Sequence, residues 1–384
     1  MEIFIILKFI VDMFWDFKIL NISYMFVCIW IFIVLFFTQN INYKVIKADL
    51  VILFFMVVSI VSLLISKDIS KGVIDFIKII TLFFLYGLGR IWRWNFEINK
   101  VSFFSILLLF SLFIYSILGL GYVNWGTVKT FIGPYYFKTD LAVAVIIFLI
   151  FILSSNLNKY FKIMSFFISL YLVFIANSRI SIPLLGLIAL LPFFNIKSFY
   201  VHIGRSLSIL LCVLLIVVIV LSTLDFSKLG MIGFDIKDPF SDKATQGRNQ
   251  IWSAVIEYYN ASPLIEKIFG SGMAADLIAA EKYSQPNIFE SSRAHNSYLW
   301  LLLCTGWVGL LSMILFFVTV ISEIKWKIRN NYINQNEVFI FTSLLVVFIG
   351  MSISVELIIR TQFTYILFLY AGLCCNRNKL RIAK

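Results

Sequence analysis

The sequence predicts an all-α polytopic membrane protein of about 11–12 transmembrane helices, with one large extracytoplasmic loop capped by short helices. Three observations carry that expectation. Hydrophobic residues make up 61% of the 384 and charged residues only 14%, more apolar side chain than a soluble core absorbs. Eleven apolar runs approach the roughly 20 residues that cross a bilayer. A single long polar interval begins at Asp225 and ends where a new apolar run opens at Asn296.

In chain order the runs are 19–38, 48–66, 72–92, 101–121, 140–154, 160–177, 180–196, 205–223, 296–321, 338–356 and 361–375. Residues 1–17 are apolar but interrupted by Lys8, Asp12 and Asp16. They read as an interfacial helix or as a twelfth, poorer span, and the span is preferred because it returns the N-terminus to the cytoplasm. No small-residue cleavage site follows the first run, so it is expected to be retained. The expected organisation is an N-terminal transmembrane bundle (1–224), an extracytoplasmic loop carrying the site residues (225–295), and C-terminal transmembrane helices with a cytoplasmic tail (296–384).

The net charge of +12 would suggest nucleic acid in a soluble protein, but here the basic residues sit mostly in short connections, where they orient spans. Sixteen Lys and Arg collect in the connections of one side and six (Lys67, Lys71, Lys129, Lys138, Arg179 and Arg360) in those of the other. The richer side is expected to be cytoplasmic and the polar interval to lie outside; nucleic-acid binding is not expected. From Asp225 to Arg293 the net charge is −2, so the basic excess belongs to the cytoplasmic face. The five cysteines, Cys28, Cys212, Cys304, Cys374 and Cys375, lie in apolar runs, which indicates neither a disulfide framework nor a thiolate metal site.

Within the polar interval, Ile251, Trp252, Val255, Ile256 and Tyr259 recur at helical spacing. Residues 247–259 therefore predict an amphipathic helix lying on the membrane, ended by Asn260-Ala261-Ser262-Pro263, with Arg248 in its first turn. The bland reading of Arg248 is a headgroup-binding arginine. Arg179 lies between two apolar runs, where a charge is expensive and usually faces a cavity or an anion, although an arginine so placed can also snorkel to headgroups. Arg360, flanked by Glu356, reads as a structural ion pair at its own helix end, and Asp75 and Lys78 as mutually neutralising. His295 opens a span. With a helix starting near Ser292, its imidazole would sit against a positive helix end and remain a neutral base. The interval lacks Asp-x-Asp, so neither a metal nor another cofactor is indicated. Gly270-Ser271-Gly272 signals no more than a tight bend.

In their order and spacing, Asn177-Ser178-Arg179 opening a span, Gly247-Arg248 to Trp252 in a large outer loop, Pro263, Gly270-x-Gly272, and Ala294-His295-Asn296 entering a span resemble the O-antigen ligase and surface-polysaccharide polymerase superfamily. The resemblance implies a lipid-dependent membrane glycosyltransferase of the bacterial cytoplasmic (inner) membrane, multi-pass, working on its outer face. It implies a donor glycan on undecaprenyl pyrophosphate and a glycan or lipid-linked acceptor, with a flippase and a chain-length regulator as partners. Carried over by motif, Arg179 and Arg248 would bind the pyrophosphate and His295 would be catalytic. Arg293 and Tyr298, beside His295, are candidates for the acceptor side. The leading expectation is polymerisation of repeat units into O-antigen or capsule. A ligase transferring glycan to lipid A-core is the alternative within the superfamily, and a transporter or flippase of an anionic lipid-linked substrate is the alternative outside it.

Overall fold

The computed structural model describes residues 1–14, 16–38, 44–92, 96–125, 128–194, 200, 248–283 and 293–377. The expected span 205–223, Gly247, His202 and Cys212 lie outside the described residues. The elements in order are α1 (Glu2–Met13), α2 (Lys18–Thr38), α3 (Lys47–Leu64), α4 (Ile69–Ile91), α5 (Ile98–Ile117), the strands β1 (Tyr122–Trp125) and β2 (Val128–Phe131), α6 (Lys138–Ser154), α7 (Lys159–Ile175) and α8 (Ser181–Leu190). They continue as α9 (Arg248–Ala261), α10 (Leu264–Phe269), α11 (Ala275–Tyr283), α12 (Ser297–Arg329), α13 (Gln335–Met351) and α14 (Thr361–Cys375). Among the described residues five helices are long and apolar enough to cross a membrane, namely Ile19–Thr38, α3, α4, α5 and α12; shorter apolar helices accompany them. This is an all-α polytopic membrane protein, from which the short antiparallel β1–β2 hairpin departs among the described residues. Val123, Thr130 and the paired Tyr122 and Phe131 are residues that favour strands.

The core follows from composition. α14 and α6 are apolar all round, as suits a helix enclosed by other helices or by lipid. Every residue of α14 from Phe363 to Cys375 is buried, as is every residue of α6 from Leu141 to Ile152. α14 lies hard against α4 because two glycines meet there. A Cβ on Gly372 would come within 2.1 Å of the Tyr86 carbonyl oxygen, and one on Gly89 within 2.3 Å of that of Leu369. Without a hydrophobic drive between helices in lipid, such backbone approach is a main source of packing energy.

The expected first span is instead a 12-residue helix. At 1.5 Å per residue α1 is about 18 Å long, short of a hydrocarbon core of about 30 Å. One face of it, Ile5, Lys8, Phe9 and Asp12, is buried against neighbouring helices. Lys8 pairs with Asp12 one turn on, lies 3.1 Å from Asn21, and sits over the rings of Tyr24 and Tyr365 at 5.6 and 5.3 Å. Two of the charges that degrade the hydropathy of this stretch, Lys8 and Asp12, thus meet inside the bundle, while Asp16 is exposed.

The two ends of the bundle differ. At one end Arg90 grips Asp49 at 2.9 and 3.0 Å and the carbonyls of Cys375 and Lys44, while Arg377 grips Glu323 at 2.6 and 2.7 Å. The other end carries the hairpin and α9 to α11. There α12 is kinked at Gly306, whose φ of +67° falls in the left-handed region. The kink releases carbonyls that a straight helix would satisfy, and partners from outside take them. Ser271 N–H donates to the Leu303 oxygen at 2.8 Å and Ser62 Oγ to the Cys304 oxygen at 2.6 Å. Gly270 permits this, because a Cβ there would come within 2.2 Å of the Cys304 oxygen. The Gly270-Ser271-Gly272 turn is therefore more than a bend: it seats the α10–α11 connection on the kink of α12.

Candidate functional site

The linker before α12 is the centre of the site. The helix begins at Ser297, not near Ser292, because Asn296 caps it: its side-chain oxygen accepts the N–H groups of Tyr298 at 2.9 Å and Leu299 at 3.0 Å. His295 therefore stands before the cap, with φ +47°, and not in a first turn. The expected positive helix end is replaced by a carboxylate. Glu356, 1% exposed in the connection between α13 and α14, accepts the His295 backbone N–H, and its other oxygen lies 3.5 Å from His295 Nδ1.

The same connection holds the start of α12 from the other side. Ser297 N–H donates to the Ser352 oxygen at 2.8 Å, Ser297 Oγ to the Val355 oxygen at 3.0 Å, and Asn296 Nδ2 to the Ile353 oxygen at 3.1 Å. Burial alone would raise the Glu356 pKa, but the hydrogen bond and charge of His295, together with Arg360, hold it down at about 2.

Around this pair stand the arginines. Arg248 is the first residue of α9, and Arg179 sits in the turn between α7 and α8; both are half-buried. Burial lowers the Arg248 pKa, the charge of Glu356 opposes that shift, and Arg179 and Arg360 add to it. Burial likewise lowers Arg179. Arg248 thus shares one electrostatic neighbourhood with Arg179, Arg360 and the Glu356–His295 pair. Arg360 does not pair with Glu356 as expected from its flank. Its guanidinium reaches Asp140 of α6 at 3.0 and 3.3 Å from the extended residue that ends the short 3-10 helix Leu357–Ile359.

Arg293 and Tyr298 are engaged by the protein. Tyr298 Oη donates to the Ile349 oxygen at 2.9 Å. Arg293 grips Asp75 of α4 with two donors at 2.6 and 3.1 Å and reaches Asp276 of α11 at 3.3 Å. Lys78 is the weaker partner of Asp75, at 3.5 Å, so the expected neutralisation within α4 is secondary to a contact across 218 residues. Burial raises the Asp276 pKa to about 7, Arg293 opposing and Asp75 and Glu356 reinforcing. On α9 the buried positions are Ile251, Ala254, Val255 and Tyr258, a face turned toward α11 and α12, with Ile256 left 46% exposed. Trp252 at its flank donates Nε1–H to the Ala294 oxygen at 2.9 Å.

Sequence reasoning missed Glu356, Asp140 and Asp276 as site neighbours. The available signal was that each is a carboxylate at or near an apolar stretch on the poorly basic side, where an ionised group needs a partner. Among the described residues no group of three His, Cys, Asp or Glu side chains converges as metal ligands would.

Fold and site define a multi-pass helical membrane protein with a histidine–carboxylate pair set among arginines at one end of its bundle. A family model described as O-antigen ligase matches residues 164–314, a stretch that includes Arg179, Arg248, Arg293, His295 and Tyr298. The match bears out the resemblance read from the sequence: over these residues the chain is similar to the O-antigen ligase family. No curated protein matches the chain significantly.

Proposed function

We propose that this protein polymerises undecaprenyl-pyrophosphate-linked oligosaccharide repeats into a surface polysaccharide, on the outer face of a bacterial cytoplasmic membrane, by inverting glycosyl transfer without a metal. The observation that carries the reading is the grouping of Arg248 with Arg179 and the Glu356–His295 pair at the bundle end that bears the extramembrane helices. In this mechanism the bond from sugar C1 to the diphosphate oxygen breaks as an acceptor hydroxyl attacks C1 from the opposite side. Negative charge develops on the departing diphosphate, and the planar donor pairs of Arg179 and Arg248 neutralise it. The hydroxyl proton passes to His295 Nε2, while Nδ1–H faces Glu356, which holds the ring and carries the charge opposite to the imidazolium that forms. Charge supports this orientation, since in the short connections the described basic residues lie mostly at the end remote from the site.

The description of the matching family favours a ligase as the second reading. A deletion strain separates the two: single-repeat surface glycan supports the polymerase, whereas accumulated long lipid-linked polymer supports the ligase. The biochemical test is purified protein with a defined undecaprenyl-pyrophosphate oligosaccharide and chelator present. A glycan ladder is expected. Lipid flux in liposomes without new glycosidic bonds would overturn the enzyme reading.

A further inference from the structure

Arg293 stands two residues before His295, and its surroundings answer a question the site leaves open. His295 adopts φ +47°, a conformation that a non-glycine residue keeps only when its neighbours over-determine it. On the C-terminal side, Asn296 and Ser297 are tied to the α13–α14 connection. On the N-terminal side the tie is ionic. Arg293 presents Nη1 and Nη2 to both oxygens of Asp75 at 2.6 and 3.1 Å, a bidentate pairing, and Nη1 also reaches Asp276 Oδ1 at 3.3 Å. Both carboxylates are 0% exposed, and the arginine side chain 22%.

The second oxygen of Asp276 accepts the Ala294 N–H at 3.3 Å, and the Ala294 oxygen accepts Trp252 Nε1–H at 2.9 Å. Three elements (α4, α11 and α9) thus hold the two residues that precede His295. A guanidinium has five donor hydrogens; both terminal nitrogens of this one already face buried carboxylates, which sets it apart from an arginine presented to substrate.

We propose that Arg293 is a positioning residue: clamped between Asp75 and Asp276, it locks the linker 294–296 and so fixes the His295 imidazole for glycosyl transfer. The link to transfer rests on the function proposed above; the clamp itself does not. Loss of either end of the clamp releases the linker in the same way, so Arg293 and Asp75 variants share a phenotype although the two residues are 218 positions apart.

The test uses the full chain in lipid nanodiscs with Arg293→Ala, Arg293→Lys and Asp75→Asn. It reads amide exchange over 294–299 without substrate, then kinetics with a polyprenyl-diphosphate oligosaccharide. Exchange at Ala294 and His295 is expected to quicken about tenfold or more in Arg293→Ala and Asp75→Asn. The kcat is expected to fall about 10- to 100-fold while KM for donor and acceptor stays within about threefold, Arg293→Lys lying between these and the wild type. Should Arg293→Ala fail to fold, the other two variants carry the same readouts. Unchanged exchange overturns the proposal, and so does a raised acceptor KM with kcat preserved, which would make Arg293 a substrate contact. Quickened exchange together with a wild type that transfers no sugar would sink the transferase reading and leave the clamp standing.

Discussion

Glu356→Gln removes the charge beside His295 at almost constant volume, and its cost can be bounded from the geometry. His295 Nδ1 and Glu356 Oε2 are 3.5 Å apart. Two unit charges at that separation attract by roughly 5 kcal/mol at an effective dielectric of about 20 and by about 1 kcal/mol in bulk water. The carboxylate is 2% exposed and the imidazole 22%, so the pair lies between those limits. If that attraction is gained only when His295 takes the acceptor proton, its loss lowers kcat by about 10- to 1000-fold. Glutamine still offers an oxygen to the His295 N–H, so the linker keeps its backbone tie. His295→Ala should cost about 10² to 10⁴. Once the ring is gone Glu356 has nothing to orient, so the double variant should match His295→Ala within about threefold. Single-turnover extension of a polyprenyl-diphosphate oligosaccharide in nanodiscs measures all three. Losses that multiply in the double variant, or a fully active Glu356→Gln, would refute the base–carboxylate pairing.

Arg248→Ala and Arg179→Ala should each abolish detectable chain growth with expression intact, whereas Arg248→Lys, which keeps the charge but loses the planar fork, should retain about a tenth of the activity; normal polymer from both alanine variants would remove the pyrophosphate assignment. The Asp276 pKa, raised from 3.8 to about 7, predicts a pH dependence of stability. Between those values the folded carboxyl holds a proton that the unfolded one has released, so stability should decline as pH rises from about 4 to about 7. Thermal unfolding of wild type against Asp276→Asn should show that slope in the wild type only. Gly306→Ala forces a side chain into φ +67° and to within 2.2 Å of the Ile268 oxygen. The backbone conformation alone should cost about 1–3 kcal/mol, read as a lowered Tm.

The spans were legible because lipid imposes a length and a polarity that each apolar run must satisfy by itself: the expected run 19–38 and the helix Ile19–Thr38 coincide. The start of α12 was not, because Ser291, Ser292, Asn296 and Ser297 are all competent caps, and only the packing against Ser352 and Val355 selects Asn296. Partners of buried charges were the least legible. Arg360 joins Asp140 across 220 residues and Arg293 joins Asp75 across 218, while the neighbours in sequence, Glu356 and Lys78, turned out to be the wrong or the weaker choice. Local spacing reports which groups are charged, and tertiary packing decides which of them meet.

The arrangement of cations is itself an argument about the ligand. Arg179 and Arg360 both act on Arg248 in the direction that disfavours its charge, yet a guanidinium does not give up its proton at physiological pH. Mutual repulsion among these cations opposes their grouping. Glu356 relieves part of it, but that carboxylate also holds His295, and Asp140 already holds Arg360. A diphosphate entering between Arg179 and Arg248 would discharge the remainder, and would do so most completely as its bond to the sugar breaks and its charge grows. A site so arranged would bind the departing group better than the intact donor, which is the condition for accelerating the transfer. The corresponding measurement is product inhibition: undecaprenyl pyrophosphate should bind more tightly than the glycan-bearing donor, and Arg248→Ala should lose more affinity for the former. Equal losses for both would mean that the arginines hold the lipid headgroup without favouring its departure.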